Sequence, residues 1–154
     1  MKQEEFPGYK EYFIQDYGKE ISENYNHSIE KGILLAQQEL EEDLPFNVAT
    51  IDHYLMCIEI NTEVDTILIG YLWYNHNKNK ISAFIYDFYI FPEYQNKGYG
   101  TATVKALEKR LSYDGVKEIK LRVAFENNRA LNLYKKIGFK ITGYNMIKKI
   151  YSPD

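Results

Sequence analysis

The sequence has little cysteine, little proline and little histidine, and no long apolar run. Its single cysteine, Cys57, rules out an internal disulfide. Cys57 lies in the apolar stretch "YLMCIEI", which reads as a strand carrying a plain buried thiol. His27, His53 and His76 are scattered without ligand spacing, so no metal site is expected. No stretch approaches the roughly 20 apolar residues that span a bilayer. The opening "MKQEEFPGYK" has no apolar core of the signal-peptide kind, so a cytoplasmic protein is expected. A formal charge of −3 gives no reason to expect nucleic acid or an anionic membrane as partner. No repeat, low-complexity tract or linker divides the chain.

What is present is one domain's worth of chain, 154 residues, with aromatic residues at 16% and 15 tyrosines. Tyrosine fills space while keeping a polar tip near water or ligand. Residues 8–42 carry helical spacing, with apolar positions at Ile29, Ile33, Leu34 and Leu40. Gly18 and "ENYNHS" are read as the break between two helices, with Ser28 capping the second. Strands are predicted over 54–60, 67–74 and 81–90, with turns at Asn61–Asp65 and 75–80. A helix is predicted from Gly98 to Tyr113, presenting Val104, Leu107 and Leu111 on one face. A strand over 117–124, a short helix over 127–137 stopped at Gly138, and closing strand structure over 139–150 complete the order. Helices, antiparallel strands, then strand–helix–strand–helix–strand make a mixed α/β (α+β) domain covering 1–154. The acidic run Glu39, Glu41, Glu42 and Asp43 reads as a solvated helix end, with attraction of a cationic substrate as the alternative.

Chemistry concentrates after the third strand. "YQNKGYG" (94–100) follows "FIYDFYIFPE" and opens a helix. Such a loop offers backbone N–H groups and the positive end of a helix dipole to an anion. It is neither a P-loop nor the dinucleotide fingerprint, because the required further residues are missing. Taken alone it is equally a tight strand-to-helix turn. Downstream, "NNRALNLYKKIGF" places Tyr134 about two turns beyond Asn127, at about 3.6 residues per turn, so both point the same way. Either a ligand runs alongside, or Tyr134 is a core tyrosine. Asp87 sits inside the apolar strand "AFIYDFYI", where an unpaired carboxylate is costly. Alternation puts it on one face with Ile85 and Tyr89, as a satisfied carboxylate or a working one.

Together these segments resemble the GCN5-related N-acetyltransferases (GNAT). The family motif Gln/Arg-x-x-Gly-x-Gly/Ala reads here as Gln95, Asn96, Lys97, Gly98, Tyr99 and Gly100. The second motif, Asn-x-x-Ala-x-x-x-Tyr-x-x-x-Gly-Phe, reads as Asn127, Ala130, Tyr134, Gly138 and Phe139. "MIKKI" is similar to the family's last strand. The resemblance covers 67–150 well and the N-terminal helices loosely.

The resemblance implies a mostly antiparallel twisted sheet, flanked by helices and splayed between the family's fourth and fifth strands. It implies that acetyl-CoA binds in that split as co-substrate. The backbone amides of Asn96 to Thr101 would hold the diphosphate, with Gln95, Lys97, Gly98, Tyr99 and Gly100 forming the loop. Phe88, Tyr89 and Ile90 would run beside the pantetheine arm, and the Ile90 N–H would polarise the thioester carbonyl. Asn127 would bond the arm, and Tyr134 would face the sulfur as the acid. The implied reaction is direct transfer to a primary amine, on a small molecule or a peptide N-terminus. Some members carry a glutamate base in the fifth strand where this chain has Arg122, which leaves Asp87 as the alternative base. Only "MKQEE" precedes Phe6, so the family's opening strand is short or missing, and homodimerisation through that sheet edge is left open. A non-catalytic acyl-CoA-binding regulatory module is the alternative function.

Overall fold

A computed structural model describes residues 1–77, 79 and 81–150. The predicted turn at 75–80 falls partly outside the described residues. The described elements run α1 (Phe6–Tyr25), α2 (Ile29–Asp43), β1 (His53–Asn61), β2 (Thr66–His76), β3 (Ser82–Ile90), α3 (Tyr99–Tyr113), β4 (Glu118–Leu121) and α4 (Asn128–Lys136). The sheet order is β1-β2-β3-β4. The first two pairings are antiparallel and β3–β4 is parallel. The expected mixed α/β class therefore stands.

Helices cover both faces of the sheet. Phe6, Tyr9 and Phe13 of α1 pack with Leu40 of α2 against Leu55, Tyr71 and Trp73. On the other face, Leu107 and Leu111 of α3 pack on Leu72, Tyr74, Ala83 and Ile85. α4 reaches the sheet through Tyr134, whose ring meets Phe88 at 6.5 Å.

Ser28 caps α2 by accepting from the Lys31 N–H, as its position predicts. Gly18, however, breaks nothing. It lies inside α1, where a Cβ would fall 2.8 Å from the Ile33 Cα. A Cβ on Gly32 would fall 2.1 Å from the Gly18 carbonyl oxygen. The two glycines let α1 and α2 cross with their backbones nearly touching, so the residue read as a break is a packing contact. Of the apolar positions with helical spacing, Leu40 is buried, whereas Ile29 and Leu34 are exposed.

The sheet begins without the family's opening strand, as expected, whereas the chain's end differs from expectation. Residues before Phe6 form a turn instead of a strand, and the Met1 nitrogen donates to the Leu55 carbonyl at 2.9 Å. Counted from the family's opening strand, β3 and β4 are the fourth and fifth. The closing strand structure expected over 139–150 is not formed: residues 139–150 have no regular structure, and Tyr144, Met146, Ile147 and Ile150 are exposed. Alternation specifies a face but not a partner strand, and among the described residues no strand pairs with this segment.

Candidate active site

β3 pairs with β4 only from Ser82 to Ile85, opposite Glu118 to Leu121. Beyond that point β3 stays paired with β2 to Ile90 but parts from β4, and a cleft of about 620 Å³ opens in the gap. Its lining reaches α1 on one side and the 95–101 loop and α4 on the other.

A bulge decides which side chains face it. Trp73 of β2 sits opposite Asp87, and its neighbour Tyr74 sits opposite Ile85, so Tyr86 is an extra residue. The extra residue reverses the alternation. Ile85 packs toward α3, whereas Asp87 turns to α1, on the side where Tyr89 stacks on Tyr12. The predicted shared face of Ile85, Asp87 and Tyr89 therefore holds only for the last two.

Asp87 accepts from the Tyr9 hydroxyl at 3.1 Å and from the Tyr12 hydroxyl at 3.2 Å, one phenol on each carboxylate oxygen. Burial pushes its pKa up to about 7; the two phenols pull against that rise and the charge of Asp16 adds to it. The group is thus poised to take up and release a proton near neutrality. Its pairing with Tyr9 and Tyr12 is also what a satisfied buried carboxylate requires.

Tyr134 lines the same cleft and is 8% exposed. Burial, then the nearby charge of Asp87, raises its phenol well above the usual range, so it keeps its proton and can donate. Its helix starts at Asn127, whose Oδ1 accepts from the Ala130 N–H at 3.1 Å. Asn127 and Tyr134 both line the cleft, although Asn127 is the helix cap and stands outside the regular helix. At the other end the Phe139 N–H returns to the Tyr134 carbonyl at 2.9 Å.

The loop is held from both sides. Gln95 donates through Nε2 to the Ile90 carbonyl at 2.6 Å and accepts from Arg129 at the start of α4. Gly98 caps α3 with φ of 85°, a left-handed conformation that disfavours any side chain with a Cβ. A Cβ on Gly100 would meet Leu133 at 3.1 Å, which brings α4 close against the loop. The Phe91 N–H donates to the Ile69 carbonyl of β2 at 2.8 Å. Antiparallel alternation then directs the Ile90 N–H to the opposite edge of β3, toward the gap.

Of the residues predicted for the site, Asp87, Phe88, Tyr89, Ile90, Gln95, Asn96, Gly98, Gly100, Thr101, Asn127 and Tyr134 line one cleft. The side chains of Lys97 and Tyr99 do not. Lys97 lies over the Tyr94 ring, and Tyr99 turns into a separate, mostly apolar groove of about 520 Å³ between β1, β2 and α3. Arg122, at the place of the expected glutamate, pairs with Glu20 of α1 at 2.8 Å. Sequence reasoning missed Tyr9 and the cleft-lining Tyr12, Asp16 and Glu20. The stripe Tyr12, Asp16, Glu20 at four-residue spacing on α1 is the signal that was available.

The acetyltransferase (GNAT) family model matches residues 13–139. The chain belongs to the GNAT family. It is 32% identical over 152 residues to the uncharacterized N-acetyltransferase YycN of Bacillus subtilis, covering 97% of this chain and 96% of that one. The crystal structure of YycN superposes with a TM-score of 0.86 at 30% identity, over 99% of this chain and 96% of that chain. The PaiA N-acetyltransferase of Thermoplasma acidophilum, crystallised with coenzyme A, shares the fold with a TM-score of 0.68 at 20% identity. That match covers 94% of this chain and 89% of PaiA. Membership in the GNAT family makes this chain an acetyltransferase with acetyl-CoA as its acetyl donor. Among the described residues no helix is long and apolar enough to cross a membrane.

Proposed function

We propose that this GNAT protein transfers acetyl from acetyl-CoA to a primary amine by direct attack within a ternary complex. The observation that carries this reading is the placement of Asp87 and Tyr134 in one cleft, close enough for the charge of Asp87 to raise the Tyr134 phenol. One group can accept a proton near neutrality and the other holds a proton to give.

In this reading the backbone amides from Asn96 to Thr101 and the start of α3 hold the diphosphate. The positive φ of Asn96 and Gly98 shapes that turn, and preformed N–H donors offset the cost of placing a polyanion there. The exposed edge of β3 at Phe88 to Ile90 pairs with the amides of the pantetheine arm. The Ile90 N–H is aimed where the thioester oxygen gains charge. Asn127 bonds the arm. The thioester supplies an activated acyl carbon; the chain's own groups manage the protons. Asp87 takes one from the attacking amine, directly or through water, and Tyr134 gives one to the departing sulfur. The raised phenol gives up its proton to a thiolate only uphill, so Tyr134 serves as a hydrogen-bond donor to the sulfur as charge develops there and passes its proton as the thiol leaves.

The test is CoA thiol release from acetyl-CoA with a panel of primary amines, small molecules and short peptides together, and mass spectrometry of the products. An N-acetylated product is expected. Tight acetyl-CoA binding with no release across the panel would favour a binding module instead.

A further inference from the structure

Helix α1 gives Asp87 both of its phenol partners. Tyr9 and Tyr12 are about one turn apart, so their side chains leave the same face of the helix. Tyr9 is 0% exposed and does not border the cleft, whereas Tyr12 does. Packing alone does not ask for hydroxyls here: the same helix face uses Phe6 and Phe13 in the same cluster. A buried hydroxyl is costly without a partner, so a phenol in place of a phenyl ring needs a reason. Tyr12 is also fixed in place. Its ring stacks on Tyr71 at 5.5 Å and on Tyr89 at 4.7 Å while its hydroxyl donates to Asp87.

We propose that Tyr9 and Tyr12 are positioning residues that fix the Asp87 carboxylate and replace water as its donors, so that it can serve as proton acceptor inside the cleft. The inference rests on the reading of Asp87 as the base. The groups facing Asp87 from every packed element are few. Asp16 and the two phenols come from α1, Trp73 from β2, Tyr89 and the Phe88 backbone from β3, and Tyr134 from α4. Asp16 is the charged member, and its charge opposes ionisation of Asp87. The phenols are the counterweight. Burial and the adjacent carboxylate hold both well above the ordinary phenol range, so they donate without competing as acids.

The test compares Tyr9→Phe and Tyr12→Phe with the parent chain by carboxyl-carbon NMR titration of Asp87 and by the pH dependence of kcat/KM. Losing one donor to a charged acceptor should move the Asp87 midpoint upward by about one pH unit, and the acid limb of kcat/KM with it. A purely structural tyrosine would lower Tm and leave both midpoints in place; that result in folded variants overturns the proposal. A midpoint that moves while the limb stays would remove Asp87 as base, and the positioning role with it, while leaving acetyl transfer intact. Where Tyr9→Phe does not fold, Tyr12→Phe, at the cleft surface, carries the test. The NMR arm reads the phenols even in a protein that acetylates none of the amines tried.

Discussion

On the α1 side of the cleft, Asp87 is held by the hydroxyls of Tyr9 and Tyr12, residues more than seventy positions away in the chain. On the loop side, Gln95 to Thr101 offer main chain at the start of α3, shaped by the positive φ of Asn96 and Gly98. One wall is made of buried side chains that tune a proton; the other is made of backbone that can grip an anion. The first depends on tertiary packing of α1 against β3. The second is written almost wholly in a short local motif. Damage to the first should therefore appear in rates and pH profiles, and damage to the second in donor affinity.

Asp87→Asn is the sharpest way to break the α1 wall, because it keeps the shape and removes the proton acceptor. At neutral pH kcat/KM should fall by roughly 10²–10⁴, the usual weight of general base catalysis. Partial recovery is expected at high pH, where more of the amine is already unprotonated. A wild-type pH–rate profile in this variant would sink the base assignment.

Tyr134→Phe tests the proton donor that shares the cleft with Asp87, and its expected loss is smaller. It removes only a hydroxyl, and kcat should fall roughly tenfold to a thousandfold while acetyl-CoA affinity stays nearly level. The ring contacts with Phe88 and Phe139 survive the change. Retained kcat with a lowered Tm would return Tyr134 to the core.

Gly98→Val addresses the loop itself. There is open space around the position, so the damage comes from forcing a β-branched residue to φ of 85°. Acetyl-CoA binding should weaken by about tenfold or more, because the amides no longer hold their turn. Calorimetry showing unchanged affinity in a folded variant would take the loop out of the site.

The same contrast explains what could be read from sequence. Ser28, Gly98, Asn127 and Gly138 each mark a helix end through local chemistry, and each stands at that end in the structure. Val104, Leu107 and Leu111 are buried as their spacing requires. The paired glycine loop and the Asn127–Tyr134 helix come to one cleft because each motif sits at the start of its own element. Asp87 was legible as an anomaly but not as a geometry. The bulge at Tyr86 has no sequence mark, and it reverses the face on which Asp87 lies. Tyr9 and Tyr12 look like two more aromatic residues of an amphipathic helix until α1 is laid against β3. Gly18 misleads in the opposite direction: a glycine that permits helix crossing looks, in sequence, like one that ends a helix.

The smallest expected effect is on stability, and it sharpens the comparison without measuring activity. The folded protein holds Asp87 at about 7, above the 3.8 of an unperturbed aspartate. Between those values the folded state keeps a proton that the unfolded chain has lost, so the unfolded chain gains relative stability as pH rises. The contribution of Asp87 to stability is thus fully present below about 3.8 and is lost as pH climbs through about 7. Asn in its place has no such proton. The Tm of Asp87→Asn minus that of the parent should therefore increase from pH 4 to pH 8, by several degrees, and flatten above the folded midpoint. Only this difference across pH is diagnostic, because Asn also alters the bonds from Tyr9 and Tyr12 at every pH. Thermal melts of both chains at matched ionic strength measure it. A Tm difference that is constant with pH would mean that Asp87 titrates alike in the folded and unfolded chain. The buried, phenol-held carboxylate would then lose its place as the feature that sets the α1 wall apart from the loop.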